Sequence, residues 1–222
     1  MQAAPGAQAV CGSCAGPRRA VYFLADRGRS VTRAGLADAV APGTAGALWL
    51  TSYPSDADPR TAAAMAWEVS TAGRLLGPQL RLPAGYLIEQ GTDHGLLLAP
   101  VAQRSGTMAD KLWDPATPQA SRTFDGVIAA SATQIAWAPP CIARCRVQVL
   151  NLATGLVPQT WVSSDALIGF GWPASSDNLV AELSFTTKVQ IASWRPGASR
   201  LAIAALKPQH SPASLVVGQH FP

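Results

Sequence analysis

The sequence predicts an all-β fold built from repeated four-stranded antiparallel units, and three observations carry that prediction. Gly 19 and Pro 18 among 222 residues interrupt the chain about every six residues, too often for long helices. Between these breaks lie short apolar runs of strand length, and the runs recur with a regular period. Hydrophobic residues at 48% and a mean hydropathy of +0.15 supply enough apolar surface for a packed core, which excludes disorder driven by composition.

The period becomes visible when the runs are aligned. A first run follows a turn at Asp38-Ala-Val-Ala41, Ala84-Gly-Tyr-Leu-Ile88, Asp125-Gly-Val-Ile-Ala129, Asp165-Ala-Leu-Ile-Gly169 and Ala213-Ser-Leu-Val-Val217. A second follows at Leu48-Trp-Leu50, Leu96-Leu-Leu98, Ile135-Ala-Trp137 and Leu179-Val-Ala181. Third runs end in turns: Ala66-Trp-Glu-Val69, Lys111-Leu-Trp113, Val147-Gln-Val-Leu150 and Val189-Gln-Ile-Ala192. A fourth closes each unit at Gln79-Leu-Arg-Leu82, Ser121-Arg-Thr-Phe124, Gln159-Thr-Trp-Val162 and Arg200-Leu-Ala-Ile203. Four strands per period of about 44 residues is the signature of a β-propeller, because a blade with two apolar faces is stable only between neighbours.

The expected blades are residues 37–82, 84–124, 125–162 and 165–206 of a single domain spanning 1–222. Residues 7–34 and 213–218 together make a composite or partial fifth blade, and closing a ring from both termini removes exposed sheet edges. A reading frame truncated at its N-terminus is the competing account of that partial blade.

At its third strands the chain resembles the WD-repeat-like β-propellers of bacteria. Lys111-Leu-Trp-Asp-Pro-Ala-Thr117 and Val147-Gln-Val-Leu-Asn-Leu-Ala-Thr-Gly155 look like that family's blade-ending strand and turn. The Trp-Asp pair occurs at Trp113-Asp114, whereas the equivalent turns hold Ser70, Asn151 and Arg195, and no Gly-His pair precedes the first strands. The resemblance implies a binding scaffold and association with the cell envelope.

Charge and targeting narrow the function classes. Lys+Arg 17 against Asp+Glu 13 gives +4, but the basic residues are scattered and do not interleave with aromatics, so no nucleic-acid partner is expected. No apolar run is long enough to span a membrane. The first ten residues lack the basic and leucine-rich regions of a signal peptide. A chain complete as written is therefore expected in the cytoplasm, and a truncated one outside it. The cysteines fall in two close pairs, Cys11/Cys14 and Cys141/Cys145. Local disulfides, free thiols, and metal or redox chemistry all remain open for them, although the second pair is spaced too widely for a zinc knuckle.

Asp38, Asp125 and Asp165 each precede the innermost strand of a blade, where carboxylates would ring one mouth of a channel. They either bind there or cap their own turns. Tyr53 and Trp172 lie at strand ends as aromatic anchors for a partner, or else as packing residues. The tryptophans at 49, 67, 113 and 137 are expected between blades, while Glu68, Glu89 and Glu182 are expected to alternate outward. The Tyr53–Met65 connection is the largest insertion and a candidate contact region. His94, His210 and His220 show no metal-ligand spacing, and neither a nucleophile elbow nor a phosphate loop is present, so no metal or cofactor is expected. The functional expectation is a monomeric, non-catalytic propeller that binds a protein, peptide or glycan. The alternative is a hydrolase or lyase acting on carbohydrate through Asp38, Asp125 and Asp165.

Overall fold

The computed structural model describes residues 18–25, 30–101, 109–141, 144–157, 159–163, 166–172, 177–185, 188–198 and 202–205. Strands β1 (Arg19–Ala25) and β2 (Ser30–Ala37) form an antiparallel pair. Next come β3 (Ala39–Pro42), β4 (Leu48–Ser52), β5 (Met65–Val69) and β6 (Leu80–Arg81), hydrogen-bonded in that order. A second four-stranded sheet holds β7 (Tyr86–Thr92), β8 (Gly95–Pro100), β9 (Asp110–Trp113) and β10 (Arg122–Phe124). A third holds β11 (Val127–Ala130), β12 (Gln134–Ala138), β13 (Cys145–Asn151) and β14 (Gln159–Ser163). The fourth holds β15 (Ala166–Gly171), β16 (Leu179–Phe185), β17 (Lys188–Trp194) and β18 (Ala202–Ala205).

Every sheet is a consecutive antiparallel meander, which is the blade of a β-propeller, and the fold is of that class: four complete blades and one partial one. Apart from single 3₁₀ turns at Thr44–Gly46 and Pro118–Ala120, all regular elements among the described residues are strands. The strands expected at 7–11 and 213–217 lie outside the described residues.

The chain divides into two compact units, residues 1–123 and 124–222. In the first, strand alternation sends successive side chains of β4 into two different cores. Leu48 and Leu50 meet Phe23, Ala34 and Ala37 of the β1–β2 pair together with Val69. Trp49, between them, faces the next blade, where it joins Ile88, Leu96, Leu98 and Trp113. A second strand covered on both faces has no place for a polar alternate residue, and all five residues of β4 are buried. Full burial of a leucine such as Leu50 contributes about 1.5–3 kcal/mol.

The second unit repeats this logic. Val147, Val149 and Trp161 of one blade pack against Leu167, Leu179, Leu183 and Trp194 of the next. The Trp161 and Trp194 rings lie 6.1 Å apart, and Trp137 stacks edge-on against Phe124 at 5.3 Å. Glu182 departs from its expected outward position: it is 7% exposed in the middle of β16. This second strand buries its charged residue along with Leu179, Ala181 and Leu183.

Innermost strands carry irregularities of their own. Glu89 is the extra residue of a β-bulge in β7, since Ile88 pairs with Leu98 while Gln90 pairs with Leu97. The turn into β11 depends on a glycine: Gly126 has φ +97°, and a Cβ there would overlap the Ala138 carbonyl oxygen. Gly126→Ala is expected to lower unfolding stability by about 1–3 kcal/mol, measured by urea denaturation. Unchanged stability would show that this turn relaxes freely.

Candidate functional site

The β2–β3 and β4–β5 connections place the sequence-predicted residues of the first unit on one rim. Asp38 lies in the single-residue step between β2 and β3, and its backbone N–H donates to the Thr51 carbonyl at 2.8 Å. Its carboxylate accepts the Tyr53 backbone N–H at 2.7 Å and the Ser52 hydroxyl at 3.1 Å. Arg18 approaches the same oxygen to 4.0 Å and donates to the Tyr53 carbonyl at 3.0 Å. Asp38 thus locks the start of the long connection to the strand before it, the ordinary work of an Asp at a turn.

Tyr53 continues the network. Its hydroxyl donates to the Tyr86 carbonyl at 3.4 Å, and its ring packs on the core shared with the next blade. Burial, with the Asp38 charge second, pushes the Tyr53 phenol up to about 12. Tyr86 in turn donates to the Ala109 carbonyl at 3.3 Å, and the Lys111 ammonium sits 3.8 Å above the Tyr86 ring centre. Burial holds the Lys111 ammonium below its usual range. Two carboxyls of the same blade titrate unusually. Burial, then the Asp110 charge, pushes Glu89 up to about 7, although its side chain keeps access to solvent. Burial alone pushes Asp110 up to about 6.

The 53–64 connection is exposed along most of its outer turn but pinned at both ends. Asp58 accepts the Arg60 backbone N–H at 3.0 Å and grips the Arg60 guanidinium through bonds of 2.7–3.0 Å. Ala62 donates to the Asp58 carbonyl at 2.9 Å, and the carbonyls of Ala62 and Ala64 accept from Gly85 and Leu82. This loop is a shaped surface with a fixed ion pair at its tip.

The remaining expected residues fare differently. Asp125 is exposed just before β11, while Asp165, Cys11 and Cys14 lie outside the described residues. Trp172 is half-buried against the core of the second unit. Cys141 and Cys145 are joined by a disulfide that closes the β12–β13 connection, with Cys145 fully buried. At the ends of third strands, Ser70, Asp114 and Asn151 each start a turn. Asp114 accepts from the Ala116 N–H at 2.8 Å and the Thr117 hydroxyl at 2.9 Å, bonds that hold its carboxyl below the usual range. Asn151 accepts from the Thr154 N–H at 3.1 Å.

Sequence reasoning missed a second locus in the first unit, at the opposite ends of the strands. A cleft of about 240 Å³ is lined by Thr44, Trp49, Glu68, Leu80, Thr92, Leu96 and Asp114 among others. Trp49 and Glu68 are cross-strand partners in β4 and β5, so their side chains share the face turned to the β7–β8 hairpin. Nothing in the linear pattern marks Glu68 as lining a cleft, because the opposing wall is contributed by another blade.

No protein-family model matches the chain, and no curated protein does. Among solved structures, a chain of a mitotic checkpoint complex aligns at 13% identity and TM-score 0.42, covering 87% of this chain and 75% of its own. TolB from Acinetobacter baumannii aligns at 13% and 0.48, covering 84% and 50%. The Neurospora crassa Pan2 WD40 domain aligns at 13% and 0.47, covering 86% and 61%. The chain thus spans half to three-quarters of the length of these proteins.

Two outcomes follow from the rim chemistry. Asp38→Ala leaves the Tyr53 N–H without its acceptor and is expected to lower stability by about 1–3 kcal/mol, while Asp38→Asn, which keeps one acceptor oxygen, loses less. Equal losses in urea denaturation would contradict the turn-locking role. Glu89 and Asp110 have folded-state pKa values above their ordinary ones, so the folded protein binds more protons than the unfolded chain. Their contribution to stability is complete below the ordinary carboxyl range and is lost as pH rises through about 6 and about 7. Melting temperature is expected to fall between about pH 4 and pH 7, and Glu89→Gln to flatten that decline. A profile unaltered by the substitution would place the titration elsewhere.

Proposed function

We propose that this chain is a non-catalytic propeller that presents the 53–64 loop and the adjoining Arg18–Asp38–Tyr53 network to a protein or peptide partner. The observation that carries the reading is the loop itself: its tip is exposed, yet both ends are pinned and Asp58 holds Arg60 in place. A loop already fixed in one shape loses little conformational entropy on binding, which favours recognition. Asp38 supports the same reading, since its carboxylate is engaged by Tyr53 and Ser52 in positioning work instead of standing free for acid–base chemistry. The Cys141–Cys145 disulfide supports a place of work in an oxidising, extracytoplasmic compartment at the cell envelope.

A photo-crosslinking residue at Ser55, with one at Thr154 in the β13–β14 turn as control, tests the reading in the source cells. A discrete protein adduct is expected from position 55 and not from 154, and Arg60→Glu is expected to abolish it. Lysis of the same cells into N-ethylmaleimide is expected to leave Cys141 and Cys145 unmodified. The reading fails if position 55 yields no adduct, or if pure protein turns over a substrate and Asp125→Asn stops it.

A further inference from the structure

The cleft on the opposite rim of the first unit has the chemistry of a binding site that the loop does not explain. Its walls combine apolar surface, from Leu80, Leu96 and Pro115, with two carboxylates, Glu68 and Asp114, and none of the described residues lining it is basic. Trp49 is 9% exposed, and no acceptor among the described residues takes its Nε1–H. No side-chain N or O among the described residues is buried without a partner, so the Trp49 indole N–H is open to solvent at the cleft wall, where it can donate to an occupant.

Two glycines let the backbone pass close beside these groups. A Cβ at Gly91 would stand 2.7 Å from Trp49 Nε1, and one at Gly43 would stand 2.7 Å from Glu68 Oε1. Glu68 is half-buried, and one backbone bond, from the Thr44 N–H, offsets part of its desolvation. Two half-buried carboxylates, with no basic residue among the described lining, favour a positively charged occupant. The apolar walls suit the methylene stem of such a group, and the Trp49 ring suits a guanidinium.

We propose that this cleft binds an arginine side chain from an extended segment of a partner protein. Glu68 and Asp114 receive the guanidinium, and the Trp49 indole N–H donates to a main-chain carbonyl of the same segment. Arginine fits better than a sugar because both polar walls are acceptors carrying negative charge, whereas sugar hydroxyls gain little from such charge. The proposal rests on the protein-binding reading only for the class of occupant. It concerns a different rim, so either can fail without the other.

The test is an NMR titration of the full chain, following the Trp49 indole N–H resonance as identified by its loss in Trp49→Phe. The probe is N-acetyl-arginine methylamide up to about 10 mM, a range that reaches the weak affinities of single side chains. N-acetyl-citrulline methylamide, a neutral analogue of the same shape, and cellobiose are the comparisons. The arginine probe is expected to shift the Trp49 resonance saturably. Citrulline is expected to bind about tenfold more weakly or worse, and Glu68→Gln, which keeps an acceptor for Thr44, to reduce arginine affinity by a similar factor. Absence of a shift, equal binding of citrulline, an unaffected Glu68→Gln variant, or a response to cellobiose in place of arginine would each overturn the proposal.

Discussion

Everything in this protein depends on burying both faces of the second strand in each blade. In a two-layer sheet one face is wet and the residues alternate polar and apolar; here Leu48, Trp49 and Leu50 enter cores on opposite sides in succession. The same demand makes Leu96–Leu98 wholly apolar and buries Glu182 in β16. A strand of this kind has no stability outside a stack of neighbours, so the repeat is a physical requirement before it is a sequence pattern.

Register then decides what each rim displays. Because β4 and β5 pair Trp49 with Glu68, the two side chains face the next blade together, and both line a cleft there. At the other strand ends the connections are longer, and Asp38 ties the start of one of them to its own blade. The two rims of the first unit consequently differ in kind. One carries a network that links Asp38, Ser52, Tyr53 and Tyr86, while the other holds an indole donor with no acceptor among the described residues.

Turns at the ends of third strands illustrate how different residues meet one geometric need. Ser70, Asp114 and Asn151 all use a short side-chain oxygen to accept a backbone N–H two to four residues on. Gly73 and Gly155 supply the left-handed backbone that completes two of these turns. The Trp-Asp pair at Trp113-Asp114 is therefore one solution to a local problem. Its Asp works within its own turn, and its Trp is buried in the core that its blade shares with the preceding one.

The sequence alone determined the all-β class, the four-stranded repeat and the apolar second strands, because these follow from local chain breaks and from periodic burial that every blade obeys. Rim loops were legible as insertions, and Asp38 as a residue at a turn, since both are properties of neighbours along the chain. Tertiary structure decided the rest. It engaged Asp38 with Ser52 and Tyr53, drew Tyr53 to Tyr86, placed a β-bulge at Glu89, and set Trp49 against Gly91 and Glu68 against Gly43. Each of these depends on a partner contributed by another strand or another blade, and the chemistry of a site formed between blades is written in no single segment of the chain.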